Sequence, residues 1–147
     1  MSFDGASAFM LWGAIIINCN QRSGEVAMVQ MLAHESAHNL LFGLGADDSL
    51  VENIPGELFP SPLRRDPRPM DGIYHATFVT ARMHRAVRQL LRSGILPASQ
   101  KEIAQKDLAE NERLFAAGIE TVDRHAQLSP LGRKVIEGAK AYMAGAE

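Results

Sequence analysis

Five of the seven prolines in this 147-residue chain fall between Pro55 and Pro69, and no other feature limits the possible folds as much. Proline has no backbone N–H and a fixed φ, so neither a helix interior nor a central strand can run through Pro55, Pro60, Pro62, Pro67 and Pro69. The chain is thereby split into an N-terminal third, a long loop from Ala46 to Met70, and a remainder broken only by Pro97 and Pro130. Loops of that length without secondary structure of their own are uncommon in compact domains and often carry function. The stretch Ser61-Pro62-Leu63-Arg64-Arg65-Asp66-Pro67-Arg68-Pro69 is therefore expected to line a site.

Hydrophobic patterning assigns the flanking segments. Met10 to Cys19 is rich in β-branched residues and ends at Asn20, Ser23 and Gly24, which predicts a strand at the edge of a small sheet. Ser23 then caps a helix over about Gly24 to Phe42, with Gly43 and Gly45 as its stop. Beyond the loop, Asp71 is placed to cap a helix reaching Ser93, whose apolar face includes Ile73, Phe78, Val79, Met83, Val87 and Leu90. Ser99 and Glu102 form a capping-box pattern for a helix to about Ala117, and Ser129-Pro130 opens a last helix through Met143. The expected fold is α+β but mainly α-helical, a single domain over residues 1–147. A small N-terminal sheet packs on the helix that carries a His-Glu-x-x-His motif, followed by the Pro-rich loop and three to four further helices.

A formal charge of −2 and a pI near 6.2 provide no basic field for nucleic acid. One cysteine, Cys19, excludes an internal disulfide framework and suits a reducing cytoplasm. The apolar run Ala8 to Ile17 lacks the flanks of a secretory signal and falls short of the ~20 apolar residues that span a bilayer. No membrane partner is expected, and the oligomeric state is left open.

The chemistry concentrates in His34-Glu35-Ser36-Ala37-His38. Two histidines four apart on a helix project from one face on neighbouring turns and can grip one divalent metal, with Glu35 beside them near a metal-bound water. Two imidazoles do not make a tight site, so a third ligand must come from elsewhere. The extended metalloprotease pattern is absent, because Leu41 and Leu44 stand where it needs glycine and histidine. Glu52 and Glu57 lie among loop residues and are weak candidates. His75, one turn inside the helix after the loop, is the best placed. His84 is half a turn out of phase with it and is expected to face solvent near Arg82, Arg85 and Arg88, while His125 follows a helix end and is held in reserve. On these residues alone a small zinc metallopeptidase, with Glu35 as base toward zinc-bound water, and a non-catalytic metal-binding module both stand as readings.

The motif, taken with Phe59-Pro-Ser-Pro-Leu-Arg-Arg-Asp-Pro-Arg-Pro-Met-Asp-Gly-Ile-Tyr-His75, resembles the 2-oxoglutarate-dependent HExxH-type peptide β-hydroxylases associated with ribosomal peptide modification. The resemblance spans roughly Trp12 to Leu91, and members are often longer, with helical sequence before this region. It implies iron(II) held by His34, His38 and His75, with room left on the metal for bidentate 2-oxoglutarate and oxygen. It also implies a cation for the distal carboxylate of that cosubstrate, a task suited to guanidinium; Arg68 is the first choice, with Arg64 and Arg65 behind it. Glu35 would then orient a water, a ligand histidine or the substrate. The implied reaction is hydroxylation of a side-chain carbon in a peptide or amino-acid-derived substrate.

Overall fold

Among the residues described in the computed structural model, 5–18, 24–61 and 64–145, four helices carry the architecture: α1 (Glu25–Leu44), α2 (Met70–Arg92), α3 (Ala98–His125) and α4 (Pro130–Met143). Two minimal antiparallel pairs accompany them. Strands β1 (Gly5–Ala6) and β2 (Ile16–Ile17) pair ahead of α1, and β3 (Leu58–Phe59) and β4 (Arg68–Pro69) pair just before α2. None of the described helices is long and apolar enough to cross a membrane.

Helix α2 is the centre of the fold, packed by α1, α3 and α4. Its residues Met70, Ile73, Tyr74, Phe78 and Val79 join Leu41, Phe115, Val122 and Ile136 in the main core, while Val26, Val87, Leu96 and Ala104 form a smaller one at the far end of α2. Each such large apolar side chain contributes about 1.5–3 kcal/mol by leaving water. Close approach of α2 and α3 depends on Gly118, because a Cβ there would run into the Thr77 hydroxyl and lie 3.1 Å from the Thr77 Cβ. Helices α2 and α4 run parallel: the Tyr74 hydroxyl donates to the Gly132 carbonyl at 2.8 Å, and His84 Nδ1 meets the Tyr142 hydroxyl at 2.8 Å, both across 58 residues.

The segment after α1 is not a free loop. Val51 makes an antiparallel bridge with Leu128, the Glu52 N–H donates to the Gln127 carbonyl at 2.7 Å, and the Ser129 N–H donates to the Leu50 carbonyl at 3.2 Å. Gly132 fits against Leu50 because a Cβ would collide with the Leu50 carbonyl. The proline-dense stretch thus starts from an anchor on the α3–α4 turn and closes through β3 and β4, which pair Leu58 with Pro69 and Phe59 with Arg68.

Several boundaries depart from the sequence expectation. The strand expected over Met10 to Cys19 is a 3-10 turn at Phe9–Leu11 followed by two strand residues, Ile16–Ile17; Cys19, Asn20 and Ser23, with the cap assigned to Ser23, lie outside the described residues. Helix α1 continues through Gly43, which is no stop: the Trp12 indole lies 2.8 Å from where its Cβ would stand. Helix α2 starts at Met70 after Pro69, so Asp71 sits inside the first turn, where its charge complements the helix dipole without capping. Helix α3 starts at Ala98 after Pro97 and runs on to His125; Ser99 makes no cap, and Glu102 pairs instead with Lys106 at 2.8 Å. Ser129 does cap α4, accepting from the Gly132 N–H at 3.0 Å, with Pro130 at the first helical position.

Candidate metal centre

The i, i+4 spacing on α1 puts His34 and His38 side by side, with ring centroids 4.9 Å apart. Helix α2 brings His75 to the other side of His38, its ring 5.7 Å away and the two Nδ1 atoms separated by 3.4 Å. The three imidazoles form a row with His38 in the middle. Phe42, one turn beyond His38, stacks on His38 at 6.2 Å and packs against His75 at 5.7 Å, covering them from one side. His34 Nδ1 lies 3.4 Å from the Met83 sulfur. Among the described residues no three His, Cys, Asp or Glu side chains close around a single point as a finished metal cage.

Burial favours the neutral form of His38 and His75. Desolvation, reinforced by the neighbouring His34 and His75, lowers the His38 pKa to about 4. His75 is also lowered by burial, offset in part by Asp71, whose Oδ1 is 3.6 Å from His75 Nε2. Neutral imidazole is the form that donates to a metal.

His34 and His38 open onto a cleft of about 420 Å3. One end is polar, with Ser61, Arg64 and Arg68; the other is apolar, with Val79, Met83 and Leu114. Gly72, Ala76, Val79 and Met83 recur every three or four residues and form the α2 wall. Arg68 is half-buried, and its Nε is shielded from water without a hydrogen-bond partner. A buried donor left unpaired costs about 1–3 kcal/mol, more for a charged group, so this guanidinium is set to receive an acceptor. Arg65 is exposed and lines no part of the cleft. His75 borders a smaller recess of about 230 Å3 with Phe9, Phe42, Leu50 and Asp71.

Glu35 is placed differently from the expectation. Its side chain is buried against β1, where Ser7 Oγ donates to Oε2 at 2.6 Å and Gly5 leaves no room for a Cβ beside Oε1. It is absent from the cleft lining, as are Glu52 and Glu57. Asn39 completes this docking of the N-terminal segment on α1: its Oδ1 accepts from the Gly13 N–H at 2.8 Å, its Nδ2 donates to the Ala14 carbonyl at 3.1 Å, and its own carbonyl accepts from the Trp12 indole at 3.0 Å. A single amide thus pairs with the segment as a neighbouring strand would.

His84 is not at the surface. It is 5 % exposed and bonded to Tyr142, with Glu112 Oε1 3.3 Å from its Nε2. His125 is the last residue of α3, exposed, with its ring 5.3 Å from that of Phe59. Met83, Leu114 and Phe42 went unread as site residues, although Phe42 continues the His34–His38 stripe at the next i+4 step. Neither a family model nor a curated protein matches this chain.

Proposed function

We propose that the chain is an iron(II)- and 2-oxoglutarate-dependent hydroxylase of the cytoplasm, acting on a side-chain carbon of a peptide or amino-acid-derived substrate. The supporting observation is the three neighbouring imidazoles, with His38 and His75 held neutral by burial, beside a cleft whose wall holds the unpartnered Arg68 Nε. One pair of donors has the spacing an ion would need: nitrogens held ~2.1 Å from one metal sit about 3.0–3.4 Å apart, and the His38 and His75 Nδ1 atoms are 3.4 Å apart. Closing the set requires the His34 and His75 rings to turn toward His38. Off-rotamer torsions cost about 0.5–1.5 kcal/mol each, far less than the ~10–16 kcal/mol that ligation supplies in well-formed structural sites. When bound, the ion and its cosubstrate supply oxygen activation, with 2-oxoglutarate converted to succinate and carbon dioxide as the substrate C–H becomes C–OH.

The remaining roles fall to the chain. Arg68 binds the distal carboxylate of 2-oxoglutarate in a charge-assisted pair, with Arg64 near the same end of the cleft. Asp71 steadies the His75 ring through Nε2, as carboxylates next to ligand histidines do. Val79, Met83 and Leu114 receive the substrate side chain and exclude water from it. Glu35 holds the N-terminal sheet on α1 through Ser7. The rival zinc peptidase needs Glu35 within reach of a metal-bound water, and the bond to Ser7 takes it elsewhere.

Anaerobic loading with iron(II) and 2-oxoglutarate, followed by air, tests the proposal. The expected results are succinate release and a one-oxygen mass gain in a peptide substrate, both lost in His38→Ala and His75→Ala. Unchanged iron binding in His75→Ala, or peptide cleavage without succinate, would refute it.

A further inference from the structure

We propose that the groove between α2 and α4 is a docking site for an acidic amphipathic helix of a partner protein, separate from the histidine cleft. The groove has a volume of about 490 Å3. Its lining combines the small residues Ala81, Gly138 and Ala139 with the apolar side chains of Phe78, Leu131 and Val135. A Cβ on Gly138 would meet nothing within 4 Å, so the slot above it is open space for a bulky apolar side chain. Leu131 and Tyr142 mark its two ends on α4, three turns or roughly 16 Å apart.

Charge selects the occupant. Arg82 and Arg85 on α2 and Lys134 on α4 border the groove, all exposed, and among the described residues none forms an ion pair with a carboxylate. Arg85 is held at the rim by the Tyr142 ring, 5.6 Å from its guanidinium. Since α2 and α4 are parallel with a constant offset of 58 residues, Lys134 stands level with Ala76. It is therefore about 9 Å along the axis from Arg82 and about 14 Å from Arg85. One carboxylate headgroup cannot answer cations spread over that length and over both walls, whereas acidic residues flanking an apolar helical stripe can. An extended peptide would find no free backbone edge here, because the walls are helices whose N–H and C=O groups are paired internally. In a chain of net charge −2, this positive groove is a local reversal of the overall sign.

The test uses the full chain and a capped, fluorescein-labelled 14-residue helical peptide with leucines at i, i+4 and i+7 flanked by glutamates, read by anisotropy at low salt. Saturable binding is expected, weakened at least tenfold in Arg82→Glu/Arg85→Glu/Lys134→Glu and in Gly138→Leu, which fills the slot. A lysine-flanked version of the peptide is expected to prefer the charge-reversed protein. Lys134→Glu alone, at an exposed site, keeps the test decisive if the triple variant does not fold, and it should weaken binding severalfold. Equal binding of both peptides to the unaltered protein, indifference to Gly138→Leu, or binding of anionic phospholipid vesicles in place of the peptide would each overturn the proposal.

Discussion

Replacing Gly118 by alanine sets two effects of known size against each other. Alanine in a helix interior is favoured over glycine by about 1 kcal/mol. The new methyl group, however, would collide with the Thr77 hydroxyl and lie 3.1 Å from the Thr77 Cβ. Thr77 has no exposed surface, and its hydroxyl donates to the Ile73 carbonyl at 2.7 Å, so it cannot swing aside without leaving that bond. Overpacking of this kind costs about 1–3 kcal/mol. Helices α2 and α3 must then part slightly, and the expected net loss is up to about 2 kcal/mol, a fall in Tm of up to roughly 8 °C for a chain this size. Urea unfolding followed by helical circular dichroism measures it. In a Thr77→Gly background both the hydroxyl and the Cβ that block the methyl are gone, and the same Gly118→Ala change should stabilise by about 0.5–1 kcal/mol, a reversal of sign. Additive effects of the two substitutions, or a stabilising Gly118→Ala in the otherwise unaltered chain, would show that no steric contact sets this helix spacing.

Three further outcomes are expected. His38 is pulled down from 6.5 to about 4, so the unfolded chain takes up a proton that the fold refuses; stability of the metal-free protein should fall as pH drops from 6.5 to about 4 and then level off, with a shallower slope in His38→Gln by urea midpoints. Arg68→Ala should raise the dissociation constant for 2-oxoglutarate about 10- to 100-fold in calorimetry while leaving iron content unchanged, whereas Arg65→Ala should do neither. Ser129→Ala removes the cap of α4 and should cost about 1 kcal/mol in thermal unfolding, with Ser99→Ala close to neutral.

What the sequence revealed follows the range of the forces involved. The α4 start was legible because Ser129, Pro130 and the Gly132 N–H act within one turn. The i, i+4 histidines were legible for the same reason, whereas α2 starts at Met70 and leaves Asp71, read as its cap, inside the first turn. The N-terminal segment was not, because it is shaped by Asn39, some 25 residues away, whose amide captures Gly13 and Ala14 and leaves only Ile16 and Ile17 to pair. His84 was misplaced by a rule that holds for surface helices. Its arginine neighbours suggested solvent, but α2 is covered on several sides, and the face opposite His75 meets Tyr142 of α4. Glu35 was misjudged for a similar reason: the motif fixes its place on α1, while Ser7 and Gly5 fix where its carboxylate points.

The bonds from Leu50 to Ser129 and from Tyr74 to Gly132 have a consequence for assembly. They join positions 79 and 58 residues apart, so contacts around the proline segment are non-local even though most of the protein is locally folded helix. As the polypeptide emerges from the ribosome, α1 can present His34 and His38 early, but the segment leading to Arg68 and His75 gains its anchor only after the α3–α4 turn has been made. The candidate site is therefore expected to be among the last parts of the molecule to mature, and changes in the α3–α4 turn should loosen it without touching any residue that lines it.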